Sequence, residues 1–360
     1  TLLATVDATT VTTGFDVTTS IASIVAVSVA TPAVAGTTHT LTTAADSVVG
    51  GLGDDSISGT TGTSATFSPG DSIAGGAGTD TVTISSTGAT ITNAAVSMSA
   101  VEKVVVVDAA TTSSTFDALS WGALDTLAVH GSTGTSTIFN NVGAIVDLEL
   151  ISNVGISDQV TVTYSAAVVA GTTDTQNITL NTAAQTLNLT GMETVALTTT
   201  GSASSLILTD STITKVTAAG TAALTLTGTG SAAIATVDAS TMSGKLTLDV
   251  SAAAATDTTV TGGSGADSIN IGAITAADTV VGGEGSDTLV TAAAVSVANA
   301  VGVSGIEVLS VVNASASATI TQDMDAFGGV TSVSIGDTSN EIVALTDVSA
   351  TMNTVNIVSA

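Results

Sequence analysis

The chain has 360 residues, enough for about two or three domains, and carries three Lys or Arg against 30 Asp or Glu, for a formal net charge of −27. Three cations cannot neutralise a row of phosphates, which excludes nucleic-acid binding and attraction to anionic membranes. The absence of cysteine excludes disulfides and thiolate metal sites.

Strand-forming residues dominate the rest of the composition. Hydrophobic residues make up 44% of the chain and aromatic residues 2%. Val, Ile and Thr suit a pleated surface, whereas the usual surface helix formers are scarce. Acidic chains stay disordered when their apolar content is low, so we expect this apolar chain to fold.

The N-terminal part contains the most apolar stretch, IASIVAVSVATPAVAG at residues 21–36. It is too short for a transmembrane helix and is interrupted by Ser, Thr and Pro, so we predict strands and no membrane insertion. The chain begins without Met and without a basic segment followed by an apolar one. We therefore expect a processed product, a fragment, or a protein exported without an N-terminal signal.

A glycine–aspartate nonapeptide, GGxGxDxUx with a large apolar residue at U, occurs four times without mismatch. The copies are GGLGDDSIS at 50–58, GGAGTDTVT at 75–83, GGSGADSIN at 262–270 and GGEGSDTLV at 282–290. Half-copies precede three of them, with aspartates at Asp46, Asp71 and Asp278. The copies that begin at 50 and 75 form one pair, and those that begin at 262 and 282 form another.

The residue types in this repeat point to calcium. Glycines permit tight turns that direct carbonyl oxygens inward, and each aspartate adds a carboxylate. Hard oxygen ligands suit Ca²⁺, which takes six to eight of them. One turn supplies half a site and a second, stacked turn completes it, which explains the pairs. The alternative is that these are plain Gly-Asp turns between strands, but such turns do not require a fixed nine-residue spacing.

A second repeat is an apolar triplet with the spacing ΦxxΦxΦ, recurring every 21 to 24 residues in three groups. Its members are Val101/Val104/Val106, Leu124/Leu127/Val129, Ile145/Leu148/Leu150, Met192/Val195/Leu197, Ile213/Val216/Ala218, Ile234/Val237/Ala239, Ile306/Leu309/Val311, Val330/Val333/Ile335 and Met352/Val355/Ile357. A steady period of this length predicts the stacked coils of a solenoid. The alternative is that a Val/Ala/Thr-rich chain produces such triplets by composition alone.

The two repeats combine into a larger unit. SAVEKVVVV at 99–107 and SGIEVLSVV at 304–312 each follow a nonapeptide pair, and TGMETVALT at 190–198 is related to them. Glu102, Glu193 and Glu307 share one place, which suits a solvent-facing or ladder-forming position. We predict a lead-in β segment at 1–43, a first nonapeptide plus β-solenoid module at 44–261, and a second, shorter one at 262–360. The predicted fold class is all-β, a parallel β-roll or β-solenoid with calcium-binding turns.

The residues needed for catalysis are scarce. His39 and His130 are the only imidazoles, and the chain contains no HExxH, GxSxG or GxxxxGK[ST] motif. Trp121 and Tyr164 are isolated in the sequence, so no aromatic platform for sugars or bases is expected. We predict that the chain is not an enzyme.

The four nonapeptides resemble the RTX (repeats-in-toxin) calcium-binding motif of proteins exported by type I secretion. Segments 213–230, 234–251 and 262–289 look like the assembly region of RTX-bearing surface-layer proteins of Gram-negative bacteria, of the Caulobacter and Campylobacter type. The resemblance implies that the first glycine, third residue and aspartate of each copy bind Ca²⁺ through carbonyl and carboxylate oxygens. With the half-copy aspartates, the predicted metal-site residues are Asp46, Gly50, Leu52, Asp55, Asp71, Gly75, Ala77, Asp80, Gly262, Ser264, Asp267, Asp278, Gly282, Glu284 and Asp287.

From this resemblance we expect a structural protein that assembles with copies of itself into a calcium-dependent surface layer (S-layer) outside the bacterial cell. The alternative is the passenger or stalk of a secreted RTX adhesin. A third reading, an RTX hydrolase, needs a catalytic domain elsewhere in a longer precursor. The resemblance also implies lipopolysaccharide as a partner, bound through a region outside this segment.

Overall fold

Parallel β-strands make up almost all of the regular structure that the computed structural model describes, which covers residues 34–87, 90–91, 96–152, 154–229, 233–252, 254–312, 319–337 and 342–359. Residues 36–360 form one compact unit. The strands predicted within residues 21–33 lie outside the described ranges. Within those ranges the helices are single 3-10 turns at Ala300–Gly302 and Met324–Ala326, and none could span a bilayer.

The strands are short and follow one another at brief intervals along the chain. In chain order they are β1 Thr38–Thr40, β2 Ser47–Gly51, β3 Ser56–Thr61, β4 Ser72–Gly76, β5 Thr81–Ser86, β6 Thr90–Ile91, β7 Ser97–Ser99, β8 Lys103–Asp108, β9 Ser114–Asp117, β10 Thr126–His130, β11 Ser136–Val142, β12 Asp147–Ile151, β13 Val154–Tyr164, β14 Thr175–Asn181, β15 Ala184–Thr190, β16 Thr194–Thr199, β17 Ser204–Leu208, β18 Lys215–Gly220, β19 Leu224–Gly228, β20 Ile234–Met242, β21 Leu246–Asp249, β22 Ala254–Thr261, β23 Ser268–Asn270, β24 Thr279–Val281, β25 Thr288–Thr291, β26 Val303–Ser304, β27 Val308–Val312, β28 Thr319–Asp323, β29 Ser332–Asp337, β30 Ile342–Thr346 and β31 Thr354–Ser359.

Two 13-stranded parallel sheets contain most of these strands. The first sheet runs β1-β3-β5-β8-β10-β12-β14-β16-β18-β20-β22-β24-β26, and the second runs β6-β9-β11-β13-β15-β17-β19-β21-β23-β25-β27-β29-β31. Strands β2-β4-β7 form a small third sheet, and β28 pairs with β30. Because the chain alternates between sheets and each strand pairs with its equivalent one coil later, the fold is a β-solenoid of about 13 turns. The predicted fold class is confirmed.

The coils differ in length, although the pairing between strands stays parallel throughout. Equivalent positions in successive coils are 18 residues apart between Thr37 and Asp55, 25 between Asp55 and Asp80, and 30 between Val146 and Gln176. The additional residues lie in the loops between strands and in bulges such as that of β13, after which the parallel pairing resumes.

The apolar triplets form columns inside the solenoid. Val195, Val216 and Val237 are fully buried and pair in register along the first sheet. Alternate residues of a strand point to opposite faces, so one side of each strand faces the core and the other faces outward. The triplet spacing therefore reports stacking, as predicted, and not composition alone.

Two triplets depart from this pattern. Ile145 is partly exposed and its neighbour Val146 is buried instead. In the last triplet Val355 and Ile357 are 49% and 68% exposed, because β31 is the outermost strand of the second sheet.

An aromatic cluster fills the core of the early coils. Trp121 is 2% exposed, and its ring lies 6.2 Å from those of Phe67 and Phe116 and 6.4 Å from that of Phe139. Trp121 is therefore isolated in the sequence but not in the fold. Because the ring is buried, it packs the core and offers no surface to a sugar or a base.

The two segments of related wording lie on different sides of the coil. SAVEKVVVV leads into β8 of the first sheet, whereas SGIEVLSVV leads into β27 of the second sheet. The related segments are thus offset by half a coil. The module boundaries at 43, 261 and 262 stay a prediction, because strand pairing continues from β20 through β22 to β24.

Candidate calcium sites

Each nonapeptide forms the turn between two strands of one coil. The copies at Gly50 and Gly75 join β2 to β3 and β4 to β5, and those at Gly262 and Gly282 join β22 to β23 and β24 to β25. The apolar residue two positions after each aspartate is the second residue of a strand and is fully buried. Since β3 pairs with β5 and β23 with β25, the two turns of each pair lie in adjacent coils. The predicted stacking of the turns is confirmed.

Glycine allows the stacked turns to approach closely. Gly76 has a φ of +111°, and a Cβ at this position would overlap the carbonyl oxygen of Gly51. Ala77 N–H donates to that carbonyl at 2.8 Å. In the second pair, Glu284 N–H donates to the carbonyl of Gly263 at 3.0 Å. Backbone hydrogen bonds therefore hold each turn against the one before it.

Leu52 and Ser264 are the predicted third-position residues of the first turn in each pair. Ser264 N–H donates to the carbonyl of Met242 in the preceding coil at 2.9 Å. The side chain of Leu52 is 72% exposed, so it makes no contribution to the core. A metal role for these residues rests on their backbone oxygens, and it stays a prediction.

The aspartates of the full copies form a hydrogen-bonded chain between coils, which we call the carboxylate ladder. Asp55 N–H donates to Asp80 Oδ1 at 2.7 Å, and Asp267 N–H donates to Asp287 Oδ1 at 2.8 Å. Each carboxylate thus reaches back one coil to the equivalent backbone group. Hydrogen bonds to an ionised acceptor are among the stronger ones in proteins.

The second oxygen of most ladder aspartates has no protein partner. Asp55, Asp80 and Asp287 are 3%, 0% and 0% exposed, and Oδ2 of each is buried without a hydrogen-bond donor. Asp267 differs, because its Oδ2 accepts from Gly263 N–H at 2.9 Å. A buried carboxylate oxygen without a partner is costly, so these atoms are placed to bind a cation.

Carbonyl oxygens converge on these carboxylates. A Cβ at Gly50 would overlap both the carbonyl oxygen of Gly75 and Asp55 Oδ2. A Cβ at Gly262 would likewise overlap the carbonyl oxygen of Gly282. Each paired turn therefore brings together a carboxylate and a carbonyl from adjacent coils, which is the hard-oxygen chemistry that Ca²⁺ requires. The residues present fit a calcium ion, which would neutralise the buried carboxylates and link adjacent coils.

Side chains alone do not form a metal site in the part of the chain that the structure describes. No three His, Asp or Glu side chains lie close enough together to hold an ion. Any calcium site at the turns therefore depends on backbone oxygens as well as on aspartate. The requirement for backbone oxygens explains why glycine accompanies aspartate in the repeat.

The environment differs between ladder aspartates. Burial raises the pKa of Asp287, and the neighbouring carboxylates of Asp267 and Glu307 raise it further, against the hydrogen bond from Asp267 N–H. At Asp55 the hydroxyl and N–H of Thr37 hold the pKa below its usual range. A nearby cation would favour the charged form of Asp287.

The half-copy aspartates make a different set of contacts. Asp71 accepts from Asp46 N–H on Oδ1 at 2.9 Å and from Ser68 N–H on Oδ2 at 2.7 Å. Asp46 and Asp278 also use both carboxylate oxygens as acceptors. These hydrogen bonds show that the half-copy aspartates stabilise corners of the coil. Their role as metal ligands stays a prediction.

Three glutamates extend the carboxylate ladder by one coil, which is the second of the two positions, solvent-facing or ladder-forming, that the sequence suggested for them. The hydrogen bonds run from Asp80 N to Glu102 Oε2 at 2.7 Å, from Asp174 N to Glu193 Oε2 at 2.9 Å, and from Asp287 N to Glu307 Oε2 at 2.9 Å. Asp174 was not among the predicted site residues. The GTTD wording at 171–174, with a glycine three residues before an aspartate, is the signal that could have identified it.

A second buried polar cluster lies away from the glycine turns and was not predicted. Asp108 is fully buried and accepts from Ser114 Oγ at 2.9 Å and Thr137 Oγ1 at 3.0 Å. Asp158 is also buried and its Oδ2 has no donor. Burial raises the pKa of Asp158, and the charge of Asp108 adds to this effect.

A comparison with known protein families matches the sequence around the glycine–aspartate turns. A family model described as the RTX calcium-binding nonapeptide repeat, in four copies, matches residues 42–63 and 275–293. A search of curated proteins found no match. RTX nonapeptide repeats bind calcium ions. The chain therefore carries RTX calcium-binding nonapeptide repeats on a parallel β-solenoid, the combination of an RTX-type protein.

Proposed function

We propose that the chain is a structural protein, not an enzyme, that assembles with copies of itself into a calcium-dependent S-layer on the bacterial cell surface. The observation that carries the proposal is that the solenoid and its calcium-binding turns account for nearly all of the described chain. Buried polar groups outside the turns, such as Asp108 and Gln322, lie inside the coil and hydrogen-bond to neighbouring segments.

The charge balance supports a calcium requirement for assembly. With 30 acidic and three basic side chains, copies of the chain repel one another. Lys103 is already paired, with its Nζ 2.5 Å from Glu149 Oε2, and His130 Nε2 lies 3.2 Å from the same oxygen. Close contact between copies therefore needs cations from the medium, and calcium at the turns reduces the repulsion.

An extracellular location follows from the same chemistry. RTX calcium-binding repeats are typical of secreted proteins. Extracellular modules bind Ca²⁺ with dissociation constants of about 10⁻⁴–10⁻³ M, so their sites fill only where calcium is abundant. The chain would stay export-competent inside the cell and complete its folding outside, in keeping with type I secretion.

The alternative is the passenger or stalk of a secreted RTX adhesin. A solenoid whose coils add one after another suits a spacer, because each coil contacts only its neighbours. The two functions differ in what the isolated chain does. A lattice protein forms ordered sheets by itself, whereas a stalk stays monomeric and presents a receptor-binding region.

Electron microscopy and static light scattering of the purified chain in about 5 mM Ca²⁺, Mg²⁺ or EGTA test the proposal. We expect ordered two-dimensional arrays in Ca²⁺ alone, because Mg²⁺ requires shorter, octahedral coordination. Asp267→Asn/Asp287→Asn should raise the calcium concentration needed for arrays, and Asp147→Asn, a matched change at an exposed aspartate, should not. A chain that stays monomeric in Ca²⁺, with or without added lipopolysaccharide, would contradict the S-layer and favour the stalk.

A further inference from the structure

The coil after each nonapeptide pair contains a short segment of shared wording, Ser99–Ala100–Val101–Glu102 in one case and Ser304–Gly305–Ile306–Glu307 in the other. We call these the closing tetrads. They lie outside the nonapeptides and outside the residues that the family model matches. Each occupies the same place in its coil as the glycine–aspartate turn before it.

The closing tetrads reproduce the carbonyl contact of a nonapeptide turn. A Cβ at Gly75 would overlap the carbonyl oxygen of Ala100 and Asp80 Oδ2. A Cβ at Gly282 would overlap the carbonyl oxygen of Gly305 and Asp287 Oδ2. Within each pair, the second turn therefore contacts the closing tetrad in the same way as the first turn contacts the second turn.

They also reproduce the carboxylate ladder. Glu102 Oε2 accepts from Asp80 N–H at 2.7 Å, the same length as the bond from Asp55 N–H to Asp80 Oδ1. Glu307 makes the equivalent contact with Asp287. The longer glutamate side chain thus occupies the place of an aspartate, although the tetrad lacks the GGxGxD wording.

The backbone of one tetrad is held in an uncommon conformation that serves this contact. Ala100 has a φ of +48°, in the left-handed region that non-glycine residues rarely adopt. Gly305, at the equivalent position, has a φ of +63°. Both tetrads therefore turn the same carbonyl toward the preceding coil, and Ala100 does so at an energetic cost.

One aspartate oxygen at each of these two places lacks a donor. Asp80 and Asp287 are fully buried, and Oδ2 of each has no hydrogen-bond partner among the described residues. A carbonyl oxygen and a glutamate carboxylate from the next coil lie beside them. Two carboxylates and a carbonyl without a protein cation match the ligands that Ca²⁺ takes.

We propose that the closing tetrads complete two further Ca²⁺ sites, one with Asp80 and one with Asp287, so that each nonapeptide pair binds two ions instead of one. Ala100 and Gly305 supply backbone oxygens, and Glu102 and Glu307 supply the second negative charge. This inference does not depend on whether the chain assembles, since it concerns the isolated molecule.

A third, related segment provides an internal comparison. Glu193 accepts from Asp174 N–H, as in the closing tetrads. Asp174 Oδ2 is also buried without a hydrogen-bond partner. Val169, however, stands five residues before Asp174, the place that a glycine takes before Asp80 and Asp287, and a Cβ at Gly191 would meet the Val169 side chain. This segment keeps the ladder hydrogen bond, but an apolar side chain takes the place of the glycine, so we assign no ion to it. Glu193→Gln is therefore a matched control.

Calcium binding by equilibrium dialysis with ⁴⁵Ca²⁺ tests the proposal on the full chain, over free calcium from about 10 μM to about 10 mM. Gln retains an acceptor for the aspartate N–H, so the ladder survives while the charge is lost. We expect Glu102→Gln and Glu307→Gln each to raise the half-saturation concentration of one site at least about tenfold, and the double variant to affect two. Glu193→Gln should bind as the unaltered chain does.

Two results would overturn the inference: unchanged binding in the double variant, or an equal loss in Glu193→Gln. If a variant fails to fold by circular dichroism, anomalous scattering from crystals of the unaltered chain grown with Tb³⁺ decides the question. Peaks beside Asp287 Oδ2 and Asp80 Oδ2 support the tetrad sites. Peaks confined to the turns at Gly50 and Gly262 refute them, and the absence of all peaks would contradict calcium binding at the nonapeptides as well.

Discussion

Removal of calcium is expected to destabilise the solenoid by an amount comparable to its whole stability. A ligand that binds only the folded chain contributes RT ln(1 + [L]/Kd), which is about 1.1–2.3 kcal/mol per site at about 5 mM Ca²⁺ and dissociation constants of about 10⁻⁴–10⁻³ M. Four sites, two at the nonapeptide pairs and two at the closing tetrads, together contribute about 4–9 kcal/mol. Folded domains are stable by only about 5–15 kcal/mol.

Thermal melting followed by circular dichroism measures this effect. The melting temperature in excess EGTA should be lower than in about 5 mM Ca²⁺ by on the order of 10 °C, or the chain should already be unfolded. Mg²⁺ at the same ionic strength separates specific binding from screening of the net charge of −27. Identical melting curves in EGTA and Ca²⁺ would refute the reasoning, since the buried Oδ2 atoms would then need no ion.

Three further predictions concern the core. Gln185 is buried, and neither of its amide atoms is hydrogen-bonded among the described residues. Gln185→Leu should therefore raise the free energy of unfolding in urea by about 1–3 kcal/mol. Gln322→Leu removes three hydrogen bonds and should lower the free energy of unfolding. Opposite signs would show that the amide of residue 185 has a partner. Burial raises the pKa of Asp158 above 3.8, so the folded chain binds a proton more readily than the unfolded chain, and stability falls as the pH rises through the window between the two values. Asp158→Asn should remove this pH dependence and be more stable at neutral pH; an unchanged profile of urea midpoints against pH would exclude Asp158 as its source. Leu226 is fully buried in the second sheet, and Leu226→Ala should cost about 2–5 kcal/mol, with a loss below about 1 kcal/mol contradicting its core position.

The sequence was sufficient to predict the fold class, because a solenoid converts spacing along the chain into contact between coils. Val104 and Leu127 share one place in the triplet, and they are paired residues in the first sheet. The fixed spacing of the glycine–aspartate copies likewise predicted that Asp55 and Asp80 would stack. Where a period is steady, the residue pattern alone identifies neighbours.

Spacing does not report which side of the coil a segment occupies. The wording of SAVEKVVVV and SGIEVLSVV is similar, yet the segments enter different sheets. Nor does spacing show whether a polar atom is satisfied. Asp71 and Asp80 look alike in their repeats, but only Asp80 has a buried oxygen without a donor. That difference depends on neighbouring backbone N–H groups, which become visible only when the coils are stacked.

The unequal lengths of the coils give the solenoid a practical use as a scaffold for displaying inserted peptides. The longest spacing between equivalent positions is the 30 residues from Val146 to Gln176, yet β12 and β14 pair as regularly as their neighbours. Some of the extra residues form the exposed loop at 170–173, which belongs to no strand. An epitope tag or a binding peptide placed in this loop should leave every strand pair in register. Cargo could therefore be added at a chosen level along the stack without redesigning the core.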